Sequence, residues 1–149
     1  MTLSHYLGNL LKLGFGKWPA GTPWCGIYTA WISAEGDLYL PIPELKPGKS
    51  FLIKRAIVIH SCAGVSEGET QDYYTIQLKK GDSNVGSALD LMTADMGTEK
   101  TLYTCTYPTA SSAGSAEHLS SGEFLKLVIT ATGTPTSGFA TILIEGILN

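Results

Sequence analysis

"SSGEFLKLVITATGTPTSGFATILIEGILN", residues 120–149, decides the fold class. Leu125, Leu127 and Ile129 alternate with Lys126, Val128 and Thr130, the two-residue period of a strand with two unlike faces. "TGTPTSG" then turns the chain with Gly133, Pro135 and Gly138. On the return, Ala140, Ile142, Ile144 and Leu148 share one face, and Thr141 and Glu145 the other. The reading is a long hairpin whose loop, about seven residues, exceeds the commonest two-residue turns. The stretch holds no His, no Cys and only two acids, Glu123 and Glu145. It is built for packing, not for chemistry.

The same period extends back along the chain. "CGIYTAWI" (25–32) and "DLYLPI" (37–42) read as strands around the turn "SAEG". In "FLIKRAIVIH" (51–60), Phe51, Ile53, Ile57 and Ile59 fall on one face, interrupted by Arg55. Leu52, Lys54, Ala56, Val58 and His60 fall on the other. "DYYTIQLKK" (72–80) alternates through Tyr74, Ile76 and Leu78 into the turn "KGDSN". "GSALDLM" (86–92) and "TLYTCTY" (101–107) are shorter strands. "PTASSAGSAEHLS" (108–120) is a small-residue loop with at most one helical turn, at 116–119. "LKPGKSFLIK" and "LSSGEFLKL" both place Leu-x-x-Gly before a strand, so Gly48 and Gly122 are expected at positive φ. About eight such strands predict an all-β, antiparallel β-sandwich of jelly-roll type.

At 149 residues the expectation is one sandwich domain. Charged residues make up only 15%, with a net charge of −3 from 10 bases and 13 acids. No basic patch stands out, which argues against nucleic acid as a partner. No apolar stretch is long enough to span a bilayer as a helix, which argues against a membrane. "MTLSHYLGNLLKLGFGKWPAG" lacks the basic start and small-residue cleavage site of a signal peptide, so the mature chain is expected to begin near Met1. Cys25, Cys62 and Cys105 form no C-x-x-C pair and read as buried reduced thiols.

Residues 1–24 read differently from 25–149. Leu7, Leu10 and Leu11 have helical spacing, with Ser4 as N-cap. "GFGKWPAGTPW" then breaks the chain with three Gly and two Pro. The division is therefore a helix and arm at 1–24 and a sandwich at 25–149. Tyr6, Leu7, Leu10, Leu11, Phe15, Trp18 and Trp24 put much apolar surface in a segment too short for its own core. They are the expected partner interface, since aromatic anchors dominate interface energies.

Motifs that carry chemistry fail on inspection. "PGKS" (47–50) matches the end of a phosphate-binding loop, but Pro43 stands where a Gly is required and a strand follows. His60, Ser61 and Cys62 are adjacent, yet neighbours on a strand point to opposite faces. His5, His60 and His118 lack metal-ligand spacing. Glu67, Glu69 and Asp72 lack the alternation of a calcium loop and read as a solvated turn. Tyr73, Tyr74 and the three Trp (Trp18, Trp24, Trp31) suit sugar stacking or packing alike. No catalytic residue, cofactor or metal is expected.

The opening, through Tyr6, Leu7, Asn9, Leu10, Leu11, Pro23 and Tyr28, resembles the start of small tailed-bacteriophage virion proteins of tail-fibre-like type. The Leu-x-x-Gly corners and Gly-Thr loops are similar to jelly-roll domains of phage decoration (cement) proteins and fibre heads. The resemblance implies a non-enzymatic virion structural protein, foremost a capsid decoration protein on the outer shell. It implies the major capsid protein or other virion proteins as partners, and a symmetric homo-oligomer, a trimer. The alternative is a tail-fibre or receptor-binding module that recognises host glycans. A third class, a jelly-roll enzyme of cupin type, needs a His/Glu metal set that these three His cannot supply.

Overall fold

A computed structural model describes residues 20–62, 72–105 and 117–149. In chain order the strands are β1 (Thr22–Ile32), β2 (Gly36–Leu40), β3 (Ser50–His60), β4 (Tyr73–Lys80), β5 (Ser83–Asn84), β6 (Leu89–Leu91), β7 (Lys100–Thr104), β8 (His118–Ser120), β9 (Leu125–Thr132) and β10 (Gly138–Leu148). They form two five-stranded antiparallel sheets. Sheet A runs β1-β10-β3-β7, with β8 also on β3. Sheet B runs β2-β9-β4-β5, with β6 also on β4. The protein is an all-β sandwich.

The inner faces carry the core. Phe51, Ile53, Ala56, Val58, Ile142 and Ile144 of sheet A are buried with Tyr74, Ile76, Leu78, Leu125, Leu127 and Ile129 of sheet B. The expected inward positions of 125–148 are therefore correct. Gly48 and Gly122 do adopt positive φ, at 79° and 84°. "KGDSN" closes the tight β4–β5 hairpin, with Lys80 opposite Ser83.

Three expectations need correction. First, β9 and β10 are not a hairpin. β9 pairs with β2 and β4, and β10 with β1 and β3. Both strands turn their apolar faces toward each other, so they face across the core instead of lying side by side. The connection is long enough to cross the ~10 Å between packed sheets. Asp72 holds that crossing, its Oδ1 accepting the Thr134 N–H at 2.5 Å. Its carboxylate therefore has a structural task; Glu67 and Glu69 lie outside the described residues.

Second, β3 changes face midway. The register against β10 passes from Glu145↔Arg55 to Gly146↔Ile53, so Lys54 is the extra residue of a bulge. Phe51 and Ile53 point inward before it; Ala56, Val58 and His60 point inward after it. Ile59, expected with Phe51, is consequently on the solvent side. Third, His118–Ser120 is a strand, not a helical turn. Leu119 is fully buried there, and Ser50–Leu52 supplies the ladder partners.

Of the expected arm, Tyr6, Leu7, Leu10, Leu11, Phe15 and Trp18 lie outside the described residues. Thr22–Trp24 already belongs to β1. The Trp24 and Phe51 rings pack nearly perpendicular, with centroids 5.2 Å apart at 84°. Trp24 is thus seated on its own sandwich.

Candidate functional site

The two outer faces differ in character. On sheet B the outward positions include Thr75, Gln77, Lys79, Lys126 and Thr130, with the ion pair Lys126–Asp37 at 2.7 Å. An exposed aromatic pair, Tyr39 and Phe124, sits among them. On sheet A the outward side is largely apolar. The strands β1 and β10 alternate strictly, so their odd-numbered residues all point out.

Register places these residues in rows across the sheet. One row is Ile27–Leu143–Ile57, the next Thr29–Thr141–Ile59, and the next Trp31–Phe139. Trp31 and Phe139 meet edge to face at 4.7 Å and 72°. Ile27 is 69% exposed, Trp31 57%, Phe139 54% and Ile59 42%. Leu52 and Ile57, farther along, are buried, so the open patch is the β1–β10 half with Ile59. Thr29 and Thr141 share a hydroxyl hydrogen bond at 3.1 Å inside it. A charged border follows: Arg55 pairs with Glu99 and reaches Glu145 at 3.9 Å. An apolar centre with a polar rim is the arrangement of a protein contact surface.

Sequence reasoning singled out Trp31 but missed Ile27, Ile59 and Phe139 as a set. The available signal was in β1, where Ile27 and Trp31 alternate with Tyr28 and Ala30. A strand apolar on both faces needs covering on both. Tyr28 points the other way; its hydroxyl donates to the Pro41 carbonyl, and burial, with a lesser push from Cys25, raises its pKa to about 12.

The adjacent His60, Ser61 and Cys62 do not form a nucleophile and base. The Ser61 hydroxyl accepts the Phe139 N–H at 2.9 Å. Of the three thiols expected to be buried, Cys62 is fully buried, which raises its pKa, but Cys105 is only half-buried and Cys25, on the outward side of β1, is exposed. His60 is 2% exposed, and neither ring nitrogen makes a hydrogen bond of good geometry. Burial pushes its pKa below 6.5, only partly offset by the Cys62 backbone and Asp95. The fold therefore favours neutral imidazole, while the unfolded chain protonates at its ordinary pKa. Stability is full above 6.5 and falls as pH drops below that value toward the folded pKa. Melting temperature should show this step between neutrality and the carboxylate range. His60→Leu should flatten it; an unchanged step would assign it to another group.

Among the described residues, no group of three or more His, Cys, Asp or Glu could hold a metal ion. Among them, too, no helix is long and apolar enough to cross a membrane. No protein-family model matches the chain, and no curated protein matches it in sequence. The molecule is thus described as a β-sandwich with one polar outer face and one apolar one.

Proposed function

We propose that this is a non-enzymatic assembly protein whose working surface is the outer face of sheet A. The observation that carries this reading is the patch of Ile27, Trp31, Phe139 and Ile59, four large apolar side chains exposed together. Exposed singly they would need no explanation; gathered on one outer face, with the Trp31 and Phe139 rings in contact, they favour a protein partner. The strand order β1-β10-β3-β7 facing β2-β9-β4-β6 supports reading the sandwich as a jelly roll, two interleaved Greek keys. The resemblance of the N-terminal residues and of the corners to phage virion proteins points the assembly reading toward a capsid decoration protein. Its partner is then the major capsid protein, and its place the virion.

The test is binding to particles that lack the protein. Trp31→Ala should weaken attachment by about tenfold, as for a central aromatic anchor. Its side chain is more than half exposed, so the far-ultraviolet circular dichroism should not change. Unchanged attachment would remove sheet A from the interface. Attachment to host-surface glycan with none to capsids would favour the tail-fibre alternative.

A further inference from the structure

The edge of sheet A supplies a second and separate observation. β1 pairs with β10 along its whole length, and among the described residues its other side has no strand. The parity of the ladder shows which groups face that open side. The Ser61 N–H donates to the Phe139 carbonyl, and Ser50 and Asn149 exchange both hydrogen bonds. Odd residues of β10 therefore bond toward β3, and even residues toward β1. In β1 the even residues bond to β10, and Cys25, Ile27, Thr29 and Trp31 aim N–H and C=O outward. Pro23 is also odd, the place in an edge strand where a missing N–H is tolerated.

Long edges are ordinarily blunted by charge, by shortness or by cover. The other strands that end the two sheets are short: β2 and β7 have five residues, β6 and β8 three, β5 two. β1 has eleven residues, "TPWCGIYTAWI", without a single charge. Two copies can therefore approach edge to edge with no like-charge repulsion.

We infer that β1 is the joining edge for a second copy of this chain, in antiparallel register about a two-fold axis at Ile27. Only this register overlaps the strand completely, with Thr22 opposite Ile32. It sets Cys25 opposite the second copy's Thr29, and Ile27 opposite its equivalent. About eight main-chain hydrogen bonds form, counting two for each facing pair and one for each pair that includes Pro23. The two sheets A become one continuous sheet, and Ile27 and Trp31 of both copies merge into one apolar face. The pairing rests on the ladder of β1 and not on the capsid reading. Its closed two-fold unit differs from the trimer expected from the sequence.

Two variants of the full chain test it, with mass measured by sedimentation over a concentration series. Wild type should associate to a dimer. Thr29→Pro removes one outward N–H per copy and leaves the β10 ladder intact, so dimerisation should weaken by at least about tenfold. Thr29→Cys brings a thiol opposite the second copy's Cys25, about 5.5 Å between Cα atoms, within disulfide reach. Oxidised glutathione should convert it to a covalent dimer and leave wild type uncrosslinked, because native Cys25 residues would sit about 14 Å apart, four residues along and one strand across. A wild-type monomer or trimer overturns the inference, as does Thr29→Pro at unchanged affinity. If Thr29→Pro fails to fold, the absence of a crosslink in Thr29→Cys overturns it equally.

Discussion

Replacing Phe51 with alanine should lower the unfolding free energy by about 3–5 kcal/mol, the range for a buried aromatic. Phe51 has no exposed surface. The Trp24 ring packs against it nearly at right angles, and it lies directly beneath Gly146. Its ladder partners are Leu148 of β10 and Leu119 of β8, so it links three strands of sheet A. The cavity left at such a junction cannot close by moving one element alone. Urea unfolding measures the effect. A loss below about 1 kcal/mol would mean that Trp24 or a neighbour collapses into the space.

Gly146→Val should cost about 3 kcal/mol, at the upper end for inserted bulk in a packed core. Local propensity says the opposite, since valine suits a strand far better than glycine. Packing decides, because a side chain at 146 would strike the Phe51 ring and the Leu52 carbonyl oxygen. The ring can be removed and the backbone oxygen cannot. In a Phe51→Ala background, the cost of Gly146→Val should therefore fall but not vanish. A double-mutant cycle reads this coupling directly. Strict additivity would show that the two residues do not compete for the same space.

The Phe51–Gly146 contact lies at the bulge that sequence reading missed. Gly146 is the position where the β10 register slips against β3. Arg55 looked like an interruption of an apolar face. Instead the chain takes an extra residue at Lys54, and Arg55 emerges on the charged border beside Glu145 and Glu99. A strictly alternating template has no means of placing one added residue. The cue was the pair Lys54–Arg55 itself, two consecutive charges in an otherwise apolar strand. The same slip moves Ile59 from the face expected to hold Phe51 to the apolar outer patch.

By itself the sequence determined that this chain makes β-structure, where most strands lie, and where two glycine corners turn. It also determined that Leu127, Ile129, Ile142 and Ile144 face inward. Those properties are local, because side chains in a strand alternate sides whatever the strand pairs with. Tertiary structure alone decided the partners. β9 and β10 read as neighbours in one hairpin and instead belong to opposite sheets. Alternation is identical in the two arrangements, and only the burial of one apolar face against the other selects the crossing. The outer patch was hidden for a related reason. Ile27, Trp31, Ile59 and Phe139 come from three strands, and ladder register brings them together on the face that the sandwich leaves open.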